Sequence, residues 1–287
     1  MKAKQIIKLT LCSLIILCSC KNNNEPIGSD SGGNSKENSI PIGNTIITNG
    51  AIQASFSISN TKKVYFSKGN LQYQAATKTY RFAENQYDII GEQNAKIEES
   101  YSDFIDLFGW GTANNPTNIS LINSEYTNFS DWGNKEISNG RKNVWRTLTK
   151  EEWNFLVNSS SRYGFAIVNN VNGLVLLPDG CQLPEALAFI TGSISNNDNL
   201  KDYATTLGNK YSIEEWRIME SYGAVFLPMA GYRIQKNIFE CGKSGHYWTS
   251  NTYNNEESYS LFFNGNITTP SDSKFKGFSV RLVQDIN

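Results

Sequence analysis

Hydrophobic and polar residues divide the chain into three stretches. Residues 6–17 form an apolar run, residues 22–44 are almost entirely small or polar, and beyond Ala51 short apolar segments alternate with polar ones. Only the third stretch is rich enough in apolar residues to form a core. We therefore predict one folded domain over residues 49–287, preceded by a flexible tether over residues 20–48.

The first part of this domain has the alternation that is typical of strands. Apolar and polar residues alternate over residues 54–58 and 63–67, and two similar segments follow at 71–74 and 80–83. The residues at 68–70 have the composition of a turn. The sequence predicts that the domain opens with a β-meander, in which consecutive strands pair side by side.

Two later segments carry the signature of a capped helix start, at Thr149–Glu152 and Ser212–Glu215. In such a capping box the hydroxyl and the carboxylate satisfy N–H groups that the first helical turn leaves unpaired. An apolar run that ends in proline follows each start, at residues 173–178 and 223–228. The pattern predicts two principal helices and two buried strands.

The C-terminal third returns to strand patterns. Apolar-rich segments lie at 247–250 and 259–263, the second is followed by the hairpin signal Asn264-Gly265, and residues 277–283 alternate cleanly. We expect the last of these segments to close the sheet. The fold class that results is α+β: a mostly antiparallel sheet with two principal helices and long loops.

The N-terminus has the features of an export signal. Lys2 and Lys4 precede the apolar run, which is too short to span a bilayer. The run ends in Leu17-Cys18-Ser19-Cys20, which resembles a bacterial lipobox. The sequence therefore predicts that residues 1–19 are a lipoprotein signal peptide and that Cys20 is lipidated, with an uncleaved apolar anchor as the alternative.

Lipidation predicts the location of the mature protein. Acyl chains on Cys20 would hold it at the outer membrane, where we expect it to be exposed at the cell surface. In this prediction the lipid anchor is its only contact with the membrane.

Composition narrows the classes of partner. The chain has 26 basic and 27 acidic residues, a balance that does not favour a nucleic-acid partner. Asparagine, serine and tyrosine are abundant, as they are in protein surfaces that bind ligands through adaptable polar contacts. Biased codon use explains the asparagines equally well.

Few residues are suited to metal or disulfide chemistry. His246 is the only histidine, so most zinc sites and Ser-His-Asp arrangements are excluded, and we predict no metal and no cofactor. Cys181 and Cys241 remain after signal removal. They either form a disulfide in an oxidising compartment or stay as two separate buried thiols.

Four phrases, taken in order, resemble bacterial secreted domains with a C-type-lectin-like fold. They are Trp145–Thr149 with Glu152-Trp153, Gly231-Tyr232-Arg233, Gly245–Ser250 and Gly277–Arg281. This group includes the Fibrobacter-type major paralogous domain and the formylglycine-generating-enzyme-like domains. The ending is most similar to Bacteroides-type surface lipoproteins. The resemblance implies the fold but no reaction.

The chain departs from the active members of these groups. Formylglycine-generating enzymes use a cysteine pair near the C-terminus, and no cysteine follows Cys241 here. The Glu-Pro-Asn, Gln-Pro-Asp and Trp-Asn-Asp motifs of calcium-dependent lectins do not occur either. The resemblance therefore implies neither activity.

In related folds the ligand face lies between the Tyr-Trp strand and the final Gly-Phe-Ser-Val-Arg strand. The resemblance implies a site within residues 251–276 that recognises a glycan or a surface protein. Ordinary polar loops are the alternative. The predicted ligand-binding residues are Asn251, Tyr253, Asn254, Asn255, Glu256, Tyr259, Asn264, Asn266 and Ser271.

Two other functions are kept as alternatives to a binding protein. One is a structural or adhesive component of a surface appendage. The other is an enzyme of unknown reaction, which would use Cys241 with His246, or a carboxylate pair drawn from Glu98, Glu99, Asp103 and Asp106. No third group that would orient the Cys-His pair is identifiable. We therefore predict that the protein is not an enzyme.

Overall fold

The structure is a computed structural model that describes residues 42–158, 162–192 and 209–286. The predicted signal peptide, Cys20 and most of the predicted tether lie outside the described residues. In chain order the strands and helices are β1 (Ile47–Thr48), β2 (Ala51–Ile52), β3 (Phe56–Ser57), β4 (Lys63–Phe66), β5 (Leu71–Gln74), β6 (Thr79–Phe82), β7 (Phe104–Ile105), β8 (Arg146–Thr147), α1 (Lys150–Asn158), β9 (Tyr163–Val168), β10 (Val171–Leu176), β11 (Lys210–Tyr211), α2 (Ile213–Ser221), β12 (Val225–Pro228), β13 (Tyr232–Ile234), β14 (Asn237–Phe239), β15 (Gly245–Thr252), β16 (Glu257–Phe263), β17 (Ile267–Thr268), β18 (Ser271–Ser273) and β19 (Leu282–Asp285).

These strands form several small sheets. The strand orders are β1-β2, β3-β4-β19-β8, β6-β5-β7, β11-β9-β10-β12 and β13-β14, and β16 pairs with β15, β17 and β18. Every named pair is antiparallel except β11-β9. The predicted α+β class with mostly antiparallel sheets is confirmed, and both predicted helices are present.

Both capping boxes form as predicted. In α1 the Thr149 hydroxyl accepts from the Glu152 N–H at 3.1 Å, and the Glu152 carboxylate accepts from the Thr149 N–H at 2.8 Å. Ser212 and Glu215 make the same reciprocal pair at the start of α2. Local polar chemistry therefore fixes where both helices begin.

The two apolar runs that follow the helix starts lie side by side. Leu174 in β10 pairs with Leu227 in β12, and both residues are fully buried. The ring of Phe226 covers Gly173, where an added Cβ would lie 2.3 Å from the ring. The prediction of two buried strands is confirmed.

The prediction that the domain opens with a β-meander is wrong. β3 pairs with β4 and β5 pairs with β6, but β4 and β5 belong to different sheets. The chain's C-terminal segment lies between them: the Ser67 N–H donates to Leu282 O, and the Leu71 N–H donates to Val280 O, both at 2.9 Å. A long-range pairing therefore replaces the local one.

The last segment closes the sheet, but it starts later than predicted. β19 pairs with β4 and β8, so the first and last parts of the domain are joined directly. Residues 277–279 instead make isolated bridges, in which Gly277 pairs with Arg233, Phe278 with Phe108 and Ser279 with Tyr247. This segment connects several elements because these three residues pair with three different neighbours.

Two of the phrases that suggested the fold end in buried arginines. Arg233 donates to Gln235 O at 2.7 Å and to Leu107 O at 3.3 Å, whereas Arg281 donates to Gln86 Oε1. Burial lowers the pKa of both guanidinium groups to about 10, and both remain charged at neutral pH. Both side chains hold loops together inside the fold.

The domain contains three clusters of buried apolar residues. One packs α1 against strands of four sheets, a second contains most of the tryptophans, and a third packs α2 against β9, β10 and β12. Trp110, Trp132, Trp145 and Trp248 are all buried in this core.

The disulfide option is wrong, because Cys181 and Cys241 are free, half-buried thiols. The Cys181 Sγ lies 3.8 Å from Tyr222 O, next to the end of α2. Cys241 lies against Gly91 in a different part of the domain. Because the two thiols pack against different elements, the alternative of two separate thiols holds.

Residues before the predicted domain start at residue 49 already contact the rest of the domain. The Gly43 N–H donates to Ser221 Oγ at 2.8 Å, and the Thr45 N–H donates to Ser221 O at the same distance. Gly43 and Thr45 therefore pack on the end of α2. In the described part of the chain, no helix is both long and apolar enough to cross a membrane.

Candidate functional site

The predicted ligand span contains a pair of tyrosines at one end of the β15–β16 hairpin. The ring of Tyr253 meets the ring of Tyr259 edge-to-face, with 5.4 Å between centroids. The ammonium of Lys150 lies 3.7 Å from the centre of the Tyr259 ring. We call these three residues, Tyr253, Tyr259 and Lys150, the tyrosine platform.

Asn251 ties the platform to helix α1. Its Oδ1 accepts from the Lys150 N–H at 2.8 Å, one of the N–H groups that lack a partner within the helix. Lys150 is the first residue of α1. The structure therefore uses this amide oxygen to fix the helix beside the platform.

The loop that carries Tyr253 is held by its own polar groups. Asn254 Oδ1 accepts from the N–H groups of Glu256 and Glu257, at 2.8 and 2.7 Å. The Tyr253 N–H donates to Glu257 O at 3.0 Å. An asparagine that bonds the backbone two residues ahead forms a tight local turn, so the position of Tyr253 is defined.

Lys274 holds the same loop through hydrogen bonds to its backbone. Its Nζ donates to Asn254 O at 2.8 Å and to Asn255 O at 3.2 Å, and it lies 4.7 Å from the centre of the Trp110 ring. The residue is buried, and burial lowers the pKa of its amine. The ammonium satisfies two loop carbonyls, and among the described residues no carboxylate forms an ion pair with it.

Ser271 lies next to the loop, but its hydroxyl forms a hydrogen bond within the hairpin and is not free for a ligand. It donates to Glu257 Oε2 at 2.7 Å. Its strand, β18, pairs with the same part of β16 that carries Tyr259. The serine therefore supports the hairpin from its second edge.

Asn264 and Asn266 lie at the opposite end of β16. The predicted hairpin is confirmed, because Phe263 pairs with Ile267 across this turn. Five residues of extended strand span about 16 Å, so Asn264 is separated from Tyr259 by roughly that distance along β16. The structure does not bring the two asparagines to the platform.

Asn255 and Glu256 remain available at the platform end. Both are exposed, and neither side chain makes a hydrogen bond or ion pair to the described residues, although their carbonyls bind Lys274. These free groups lie on the same fixed loop as Tyr253.

Sequence reasoning missed two residues that build this site. Lys150 lies about a hundred residues away in sequence, and nothing local marks it as a neighbour of Tyr259. Lys274 lies inside the predicted span, but a lone lysine in a polar loop gives no signal of burial.

The geometry gives no support to a Cys241–His246 nucleophile. His246 Nε2 lies 3.0 Å from Ser244 Oγ, which is 2.7 Å from Glu240 Oε2. No hydrogen bond joins Cys241 to His246 in the described residues. Burial, with Asp106 and Glu92 nearby, raises the pKa of the Cys241 thiol, whereas a nucleophile needs it lowered.

The acidic residues before the Trp110 segment do not form a carboxylate pair. Asp106 is buried and accepts from the Ile90 N–H at 3.0 Å and from Asn94 Nδ2 at 2.8 Å. Burial raises its pKa to about 6. Glu98, Glu99 and Asp103 are exposed. Asp106 fixes the short 3-10 turn at 91–96 rather than facing a partner acid.

The described residues contain no group of three or more histidine, cysteine, aspartate or glutamate side chains that could hold a metal ion. Comparison with protein-family models, with curated proteins and with solved structures gives no match. The tyrosine platform and its surroundings are therefore the candidate functional site.

Proposed function

We propose that the protein is a lipid-anchored surface protein whose C-type-lectin-like domain binds a glycan or a protein ligand through the tyrosine platform. Cys20 anchors it to the outer membrane, and the domain is exposed at the cell surface. It binds its ligand without chemical conversion.

Three features of the topology support the C-type-lectin-like fold. The strands near the two ends of the domain pair with each other as β4 and β19. Two helices begin with capping boxes, and long irregular segments separate the short strands. The arrangement agrees with the order of the four phrases that resemble this group.

One observation carries the binding function: 55% of Tyr253 is exposed on a loop that is held in place. A large exposed aromatic side chain usually loses some freedom when it binds, and that loss costs affinity. Here the Asn254 turn, the Lys274 bonds and the Tyr259 ring restrict it beforehand. Tyrosine then offers an apolar face and a hydroxyl to a ligand.

Charged and amide groups around the rings can form directional hydrogen bonds that orient a ligand. Lys150 is a donor beside the ring of Tyr259, and Asn255 and Glu256 present a free amide and a free carboxylate on the adjoining loop. A small number of polar groups around an aromatic surface is typical of sites that recognise sugars or protein side chains.

The experiment that tests this function is a binding screen of the detergent-solubilised full chain. It should be carried out against a glycan array and a panel of surface proteins, with and without calcium. We expect at least one ligand whose binding is lost in Tyr253→Ala. Phe239→Ala removes another exposed aromatic side chain, on β14, and is the matched control. Absence of any ligand, or equal binding by both variants, would contradict the proposal.

A further inference from the structure

A second groove, separate from the platform, lies beside the β5–β6 hairpin. It consists of two adjoining cavities of about 260 and 370 Å³, both lined by Tyr73, Lys78, Asn114 and Pro116. We call it the Tyr73 groove. It shares no lining residue with the platform.

The rings of Tyr73 and Tyr80 lie together at this groove, with centroids 4.7 Å apart and planes tilted by 44°. Tyr80 donates its hydroxyl to Ala113 O at 2.9 Å. Tyr73 is only 7% exposed, and its hydroxyl has no hydrogen-bond partner among the described residues. Because this hydroxyl reaches the groove surface unpaired, it is free to hydrogen-bond to a ligand hydroxyl.

The charges in the two cavities differ. The smaller cavity holds Lys78 and Glu99, one charge of each sign. The larger cavity is also lined by Lys78 but adds Lys135, Lys142 and a single acid, Glu136. The larger cavity therefore has an excess of positive charge, whereas the smaller one is balanced.

The lysines of the groove do not pair with its acids. None of the three lysines takes part in an ion pair within the described residues, and only Lys135 has a side-chain bond, to Asn114 Oδ1 at 2.5 Å. Unpaired ammonium groups that converge on a cavity favour an anionic group there.

The rim supplies amides and a hydroxyl. Asn114 and Asn115 are exposed, and Thr117 lines the smaller cavity beside them. Each amide both donates and accepts, as the hydroxyl groups of a sugar require. The small exposed parts of Tyr73 and Tyr80 add some apolar surface below this rim.

We propose that the Tyr73 groove binds an acidic oligosaccharide, with a neutral sugar in the smaller cavity and a hexuronate in the larger one. The carboxylate faces Lys135 and Lys142, and a sugar hydroxyl pairs with the Tyr73 hydroxyl. The Tyr73 hydroxyl, the amide rim and the one-sided charge together favour this ligand over a simple anion. The proposal does not depend on the function of the platform.

The test is a ligand-observed NMR titration of the detergent-solubilised full chain with an aldobiouronic acid, a glucuronate joined to a neutral sugar. The methyl ester of the same disaccharide removes the charge but keeps both rings. We expect the acid to bind at least fivefold more tightly than the ester. Lys142→Ala should weaken binding of the acid by five- to tenfold, and Tyr73→Phe by two- to fivefold.

Two variants act as controls. Lys243→Ala removes an exposed lysine outside the groove, and Tyr253→Ala disables the platform; neither should change the titration. If the ester binds as well as the acid, if Lys142→Ala matches Lys243→Ala, or if inorganic phosphate competes at the disaccharide's own concentration, the proposal is overturned. Dependence on Tyr253 would also overturn it, because the disaccharide would then bind at the platform.

Discussion

Lys150 places its ammonium 3.7 Å from the centre of the Tyr259 ring, although it is the first residue of α1. A positive charge at a helix N-terminus is opposed by the helix dipole, at a cost of about 0.3–1 kcal/mol. The cation–π contact returns about 0.5–1 kcal/mol. Because the two effects nearly cancel, helix stability does not account for a lysine here, which agrees with the role in ligand binding that we propose for it.

Lys150→Gln tests this balance. We expect the free energy of unfolding to stay within about 0.5 kcal/mol of that of the wild type. Affinity for the platform ligand should fall by roughly three- to tenfold, because a charge-assisted contact is lost. Denaturant unfolding and a binding isotherm measure the two effects. A large loss of stability with unchanged binding would show that Lys150 is structural.

Lys274→Met should destabilise the domain by about 2–3 kcal/mol, because two carbonyls lose a charged donor inside the protein. Lys276→Met is the matched control, since Lys276 forms a partly exposed ion pair with Asp272 that contributes about 1 kcal/mol. Chemical denaturation of both variants measures the difference. Equal stability of the two would contradict the role given to Lys274.

His246 should make the domain sensitive to mild acid. Burial lowers its pKa from 6.5 to about 4, so the unfolded chain binds the proton more readily than the folded one. Its contribution is therefore fully present above about pH 6.5 and is lost as the pH falls towards 4. The groups that face or pack against the ring are Tyr232, Phe262, Phe278, Ser244, Asp272, Glu240 and Lys276.

His246→Phe fits the same aromatic surroundings and removes the titration. Between pH 6.5 and 4 the wild type should lose about 2–3 kcal/mol more stability than this variant. The buried Asp106 has its pKa raised to about 6 and acts in the opposite sense over this range, but it is common to both proteins and cancels in the comparison. Parallel pH profiles for the two proteins would show that His246 does not titrate as described.

Cys20→Ala should release the protein from the membrane, because acyl chains on this cysteine are the predicted anchor. Fractionation of cells that express the wild type and the variant measures this. Continued recovery of Cys20→Ala with the outer membrane would contradict the lipoprotein assignment.

Elements whose chemistry is local could be predicted from the sequence. The capping boxes at Thr149 and Ser212, the buried strand after each helix start and the hairpin at Asn264-Gly265 each depend on residues close together in the chain. In each case the residues that signal the element in the sequence are the same ones that form it in the structure.

Pairings between distant segments could not be predicted in this way. Nothing near residues 67–71 shows that the C-terminal segment will bond to Ser67 and Leu71 and separate β4 from β5. The same limit applies to the site. Its tyrosines were identifiable, but Lys150 joins them only through folding, and Asn264 lies at the far end of β16.

The most direct test of the central claim is the dissociation constant of the platform ligand for Tyr253→Ala, relative to Phe239→Ala. Removing an aromatic anchor costs about 2 kcal/mol or more at a binding hot spot, so we expect at least roughly thirtyfold weaker binding for Tyr253→Ala. Phe239→Ala should bind like the wild type, and both variants should remain folded. Unchanged affinity in Tyr253→Ala would contradict the assignment of the platform as the ligand site.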